Sequence, residues 1–227
     1  MAHHAEACGP HQLRRRSQRP GGFHLIDRTP LLQATVLVVL HYQNDVLHPD
    51  GRIRLGFGEG GTNRDKVLMA AERLLGGARA ASIPVVHVRT ARPPTSKSFL
   101  ENAPIFRNVV AKGAVIEGEW GSEFFKGLGP VGREAVVVHN RVNGFYDSAL
   151  EMRLRELGAT HLVLAGVATN SCVEHTARHA ADMGYVVTVA QDACSAANAD
   201  VHEAALFNIG LIGAVADVDD LIKAGFQ

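Results

Sequence analysis

Short apolar runs recur along the chain, each bounded by polar or glycine-rich stretches. Val36-Leu37-Val38-Val39-Leu40 is continuous, apolar and rich in β-branched residues, the pattern of a strand buried on both faces. It returns at Val85-Val86-His87-Val88, Ala135-Val136-Val137-Val138, Leu162-Val163-Leu164-Ala165 and Val186-Val187-Thr188-Val189, with a weaker copy at Gly213-Ala214-Val215-Ala216. Between the runs, apolar residues repeat at helical spacing over 64–81, 148–157, 172–183 and 200–209. Gly158 and Gly184 follow two of these stretches where a helix ends in the left-handed region. Alternation of strand and helix predicts parallel strands joined by right-handed crossovers. The expectation is an α/β fold: a three-layer α/β/α sandwich, Rossmann-like, with about six mostly parallel strands. Residues 91–130 break the alternation and hold Pro93-Pro94, Pro104, Trp120-Gly121 and Pro130. An excursion of this kind is read as a lid or pocket wall.

Composition narrows the choice. At 227 residues a single domain is expected over 23–227, preceded by a flexible arm over 1–22 that carries Arg14, Arg15, Arg16 and Arg19. Lys plus Arg balance Asp plus Glu at 23 each, which argues against nucleic acid or an anionic membrane surface as partner. No run approaches the ~20 apolar residues of a membrane span. The polar, basic opening has no signal-peptide core. Three cysteines cannot all pair with one another, so free thiols and a cytoplasmic location are expected.

In an open parallel sheet, ligands collect beyond the carboxyl ends of the strands. Three polar segments stand there: His41-Tyr42-Gln43-Asn44-Asp45, His139-Asn140-Arg141-Val142-Asn143-Gly144-Phe145 and Gly166-Val167-Ala168-Thr169-Asn170-Ser171-Cys172. The third reads as a tight strand-to-helix elbow with Cys172 at the helix start. Unpaired first-turn N–H groups favour thiolate over thiol and can bind an oxyanion. The bland alternative is that Cys172 is a small buried hydrophobe.

The segments LVVLHYQNDVLHPDG, VVVHNRVNGFYDSAL and LVLAGVATNSCVEHTARHAADMGY resemble the isochorismatase-like cysteine hydrolases. These include N-carbamoylsarcosine amidases, nicotinamidases and ureidoacrylate and biuret hydrolases. The resemblance runs from about Thr35 to about Val215. It implies a Rossmann-like sheet and hydrolysis of a small amide or urea-like C–N substrate through an acyl-enzyme on Cys172, without a cofactor. It also implies a cis peptide at Val167–Ala168 that aims the N–H groups of Val167, Ala168, Ser171 and Cys172 at the oxyanion. In the resemblance, His41 falls at the place of the family's catalytic Asp and His139 at the place of its Lys. Cys172 alone keeps the family's catalytic residue.

Three readings follow. The chain is a hydrolase with histidine assistance from His41 or His139. Or it is a divergent member with a non-hydrolytic reaction, or one that only binds a small ligand. Or His41, His139 and Cys172 hold a metal. Histidine is shorter and stiffer than lysine, so His41, beside the switch point, is the better candidate base. Asp45 is expected to support its loop rather than react. Trp120, Phe145 and Tyr146 are candidate pocket walls, with core packing equally open for Phe145. Asn143 and Asn170 are candidate hydrogen-bond partners of an amide or urea, or turn residues. His175 and His179 read as exposed helix residues, and the glycine-rich stretch 56–61 as a loop that lacks the residues of a P-loop. The resemblance further implies a homodimer or homotetramer.

Overall fold

The computed structural model of the protein describes residues 34–54, 64–95 and 99–226. The arm expected over 1–22 and the glycine-rich stretch 56–61 lie outside the described residues. The strands are β1 (Thr35–Leu40), β2 (Val85–Thr90), β3 (Ala135–His139), β4 (His161–Val167), β5 (Val186–Ser195) and β6 (Ala214–Ala216). The helices are α1 (Asn44–Leu47), α2 (Arg64–Ala80), α3 (Pro104–Ala111), α4 (Leu150–Glu156), α5 (Glu174–Asp182), α6 (Ala199–Ile209) and α7 (Val218–Lys223).

All six strands run parallel in one sheet, in the order β3-β2-β1-β4-β5-β6. The predicted architecture is the one observed. The central pair β1 and β4 is buried along its whole length, as a continuous β-branched run with helices on both faces requires. β3 departs from expectation. It lies at the edge of the sheet, and Val136 and Val138 are exposed. β5 is longer than its apolar run, because Gln191 and Asp192 continue the strand to Ser195.

The helices bury what their spacing predicts. Val67, Ala70, Ala71, Leu74, Leu75 and Ala78 form the inner face of α2. Asn198 caps α6, its side chain accepting from the Val201 N–H at 2.9 Å. Gly158 and Gly184 take positive φ after α4 and α5. Under the sheet edge, His87 on β2 is fully buried and donates from Nε2 to Glu134 at 2.8 Å. Glu134 also accepts from Arg79 at 2.8 and 2.9 Å and from the Val131 N–H at 2.8 Å.

Register decides where the chemistry falls. Leu40 pairs with Gly166, so His41 and Val167 leave the sheet side by side at the point where the strand order reverses. Gly166 has φ +144°, and a Cβ there would run into the Leu40 carbonyl. Only glycine lets β1 and β4 stay this close at their carboxyl ends.

Candidate active site

Three loops converge at the switch point. After β1, His41 takes φ +60°, an uncommon conformation for a side chain of its size. Gln43 holds this turn from below. Its amide donates to the carbonyls of Thr90 and Ser122, both at 2.8 Å, and accepts from the Thr90 N–H at 2.9 Å. Asp45 accepts from the N–H groups of Arg52 at 3.1 Å and Val115 at 2.7 Å. It ties loops together, as expected of it.

After β4 the Val167–Ala168 peptide is cis, as the resemblance implied. The chain then makes one π-helical turn, Thr169–Val173, before α5 begins at Glu174. The single helix expected from Cys172 to Met183 is therefore divided. Cys172 sits in the π turn, a form that recurs at functional sites. Thr169 is pinned there through its hydroxyl to His202 Nδ1 on α6, at 2.8 Å.

Cys172, His41 and His139 stand together, their ligand atoms within 4.8 Å of one another. Cys172 Sγ lies 3.6 Å from His41 Nε2, and that Nε2 lies 2.5 Å from His139 Nε2. The two imidazoles meet end to end through these nitrogens, with centroids 4.8 Å apart and planes 23° apart. His139 Nδ1 donates to the Asn143 carbonyl at 3.1 Å, and the Val167 carbonyl accepts from the His41 ring. His41 is the ring next to sulfur. His139 reaches the cluster as its second imidazole.

Burial sets the proton equilibria. Desolvation lowers the His41 pKa well below the usual imidazole range, and the neighbouring His139 lowers it further, against the pull of the Val167 carbonyl. Desolvation likewise brings His139 down to about 4, opposed by its bond to Asn143. Cys172 moves the other way: burial pushes the thiol up to about 12, despite a hydrogen bond with Thr176. This corrects the expectation of a thiolate favoured by helix N–H groups. Those groups are already engaged. The Ser171 N–H donates to the Ala168 carbonyl at 3.2 Å and the Cys172 N–H to Ser171 Oγ at 2.6 Å. Desolvation is the largest influence on the thiol, and the cost of burying charge decides. The resting cluster is a neutral thiol beside two neutral imidazoles.

Cys172 is 2% exposed and lies on the wall of a cavity of about 120 Å³. Val46 and Ile53 line one side, Phe99 and the α3 residues Ile105, Phe106 and Val109 another. Thr90, Asn108, Asn140 and Arg141 supply the polar groups. Arg141 clamps the lid: its guanidinium stands 4.4 Å from the Phe106 centroid and 5.6 Å from that of Phe99, and Nη1 donates to the Leu100 carbonyl at 3.0 Å.

The residues expected to line the cavity are placed elsewhere. Trp120 is 47% exposed and meets His48 edge-on at 5.0 Å. Phe145 is buried and stacks on His179 at 5.2 Å. Tyr146 is exposed on a neighbouring groove shared with His175 and His179. Asn170 is exposed on a further groove beside Glu174. The Asn143 side chain accepts from the Phe145 N–H at 2.8 Å and so shapes the turn that holds His139. Phe145 and Asn143 thus follow the packing and turn readings also open for them. Helical spacing in Ile105 and Val109, four apart on the excursion, marks the wall of the cavity beside Cys172.

The isochorismatase domain family matches residues 35–220. The chain belongs to the isochorismatase family. Within the family, the chain is 34% identical over 199 residues to the ureidoacrylate amidohydrolase RutB of Methylobacterium radiotolerans, covering 81% of this chain and 76% of that one. It is 31% identical over 193 residues to the isochorismatase family protein YecD of Escherichia coli, covering 85% and 96%. Among solved structures, an isochorismatase family protein from Desulfovibrio vulgaris superposes with TM-score 0.75 at 25% identity, covering 86% of this chain and all of that one. N-carbamoylsarcosine amidase from Thermoplasma acidophilum superposes with TM-score 0.65 at 26% identity, covering 82% and 96%. The protein is thus a hydrolase of the isochorismatase family. Among its described residues, no helix is long and apolar enough to cross a membrane.

Proposed function

We propose that the protein hydrolyses a small amide or urea-like C–N compound through an acyl-enzyme on Cys172, with His41 and His139 acting together as proton acceptor. One observation carries this reading: a cysteine sulfur on the wall of a small, largely apolar cavity, 3.6 Å from a neutral imidazole nitrogen. The amidohydrolase names of the relatives agree with it.

Because the resting thiol is neutral, attack and deprotonation go together. The Cys172 proton passes to His41 Nε2 as sulfur bonds to the substrate carbonyl carbon and the C=O π pair moves to oxygen. The accepted proton lies between two Nε2 atoms 2.5 Å apart, so both rings share the charge. The oxyanion takes the Cys172 N–H once Ser171 Oγ turns away from it. Collapse breaks the C–N bond, and the imidazolium proton leaves with the amine. Water then attacks the thioester, gives a proton to His41 and releases the acid as the thiol re-forms.

The test uses the full chain with a panel of primary amides, ureido acids and N-carbamoyl compounds, followed by ammonia release. Turnover is expected on part of the panel, with loss in Cys172→Ala and a thioester adduct of the wild type in intact mass spectra. Turnover retained in Cys172→Ala refutes the reading. The thiol's resting neutrality gives the rival, a protein that only binds a small ligand, its support. Ligand-induced thermal stabilisation with no ammonia from any member of the panel would establish that rival instead.

A further inference from the structure

The two imidazoles pose a problem that the hydrolytic cycle does not absorb. His139 Nδ1 donates to the Asn143 carbonyl, so in the neutral ring Nε2 carries a lone pair. The Val167 carbonyl accepts from the His41 ring. With His41 Nε2 turned towards His139 and Cys172, Nδ1 is the nitrogen left for that carbonyl. His41 Nε2 is then also a lone pair. Two lone pairs face one another at 2.5 Å, a separation that favours a cation between them.

During turnover the cation is the proton taken from Cys172. A metal ion fits the same place. We propose that His41, His139 and Cys172 form a three-ligand site for a thiophilic divalent ion, zinc(II) above all, and that the ion holds the nucleophile inactive. The three ligand atoms lie within 4.8 Å of one another. Zn–S of about 2.3 Å and Zn–N of about 2.0–2.1 Å at a tetrahedral angle put sulfur about 3.5 Å from nitrogen, against 3.6 Å here. The same geometry asks for about 3.3 Å between the nitrogens, so the rings part by about 0.8 Å as the ion enters. Each ring already donates its other N–H to a backbone carbonyl, the arrangement that orients histidine ligands and fixes their tautomer. The set of two imidazoles and a thiolate favours zinc over magnesium or calcium. His41 and Cys172 both line the cavity, so a fourth ligand can come from it, as in sites that keep an open coordination position.

Binding converts Cys172–SH and Zn²⁺ into Cys172–S–Zn⁺ and a released proton, so affinity rises with pH. Metal binding stands without the hydrolase reading. Only the inhibition rests on it.

The experiment takes chelator-stripped, full-length protein and titrates zinc. Two readouts are independent of activity: protection of Cys172 from alkylation, mapped on its peptide, and the thiolate-to-metal charge-transfer band of the cobalt(II) form. One equivalent is expected to protect Cys172, reversibly on chelator addition. Protection is expected to be lost in His139→Asn and the cobalt band in Cys172→Ser, each variant checked for its fold by circular dichroism. Amide turnover, where the panel shows any, should fall with the same one equivalent and recover with chelator. Zinc bound equally by wild type and both variants, with Cys172 unprotected, overturns the proposal and assigns the ion to other histidines such as His3, His4 or His11. No zinc binding overturns it too. Protection without turnover on any substrate keeps the metal site and refutes the hydrolase reading.

Discussion

A thiol held at about 12 makes a quantitative forecast about Cys172 before any substrate is known. The perturbation is pH, and the reporter is exchange with methyl methanethiosulfonate, small enough for the cavity. At pH 8 a free cysteine of pKa ≈ 8.5 is about one-quarter thiolate, while a thiol at about 12 is ionised to about one part in 10⁴. The ratio of thiolate populations is therefore on the order of 2,000. A more basic thiolate is also a better nucleophile. A Brønsted slope of about 0.4–0.5 over about 3.5 units recovers roughly 25- to 55-fold. The expected rate at Cys172 is roughly 40- to 100-fold below that of free cysteine at pH 8. Restricted access lowers the whole curve without changing its shape, so the shape is the test. Quenched time points are digested and the Cys172 peptide is followed by mass spectrometry, which separates it from Cys8 and Cys194. The rate should still be climbing at pH 10. A plateau reached below pH 8 would show a thiolate–imidazolium pair already formed at rest, and the argument from desolvation would be wrong.

Other consequences are open to measurement. Burial alone would raise the Glu134 carboxyl, but bonds from Arg79, the Val131 N–H and His87, with the Arg79 charge, outweigh it and hold the group at about 2. A depressed carboxylate stabilises the fold above its unfolded pKa and loses that contribution as pH falls through the native one. Glu134→Gln should therefore cost about 3 kcal/mol at pH 7 and about 1 kcal/mol at pH 3 in urea unfolding; an equal cost at both values refutes the account. A Cβ at position 121 would overlap the Asp45 carboxylate that anchors Val115 and Arg52. Gly121→Ala should cost about 1–3 kcal/mol, read as a Tm lowered by roughly 2–4 °C per kcal/mol, and an unchanged Tm would contradict it. Arg141→Ala removes the clamp on Phe106, so amide exchange in α3 should quicken by roughly five- to tenfold while β1 and β4 are unaffected. Arg141→Lys should restore little of it, since the planar fork is what stacks. Unchanged α3 exchange would mean the lid is held by something else.

The strands were legible because buried parallel strands advertise themselves as β-branched runs, and Gly158 and Gly184 marked two helix ends. The position of Cys172 and its nearness to His41 followed from the same reading, since both lie at carboxyl ends of strands that flank the switch point. Other features were hidden for physical reasons. β3 carries the same apolar run as β1, and nothing local says that it stands at an edge. The π turn at Thr169–Val173 has no signature in residue types, and the bond from Thr169 to His202 that accompanies it joins residues 33 positions apart. Ionisation of Cys172 was misjudged because a helix dipole can be inferred from order along the chain, whereas desolvation depends on the whole surroundings. The cavity wall needed the path of the excursion after β2, which periodicity alone does not give.

The Cys172 sulfur and the His41 imidazole are 131 positions apart in the chain, and they meet only because β1 has β4 as its neighbour. A growing chain can lay β1, β2 and β3 together while β4 is still unmade. Such a half-made sheet carries both histidines and lacks Cys172. Closing the β1–β4 seam is a long-range event, costly in chain entropy and late in assembly. The proposed chemistry is thereby withheld from fragments and nascent chains, and arrives with the pairing that completes the centre of the sheet.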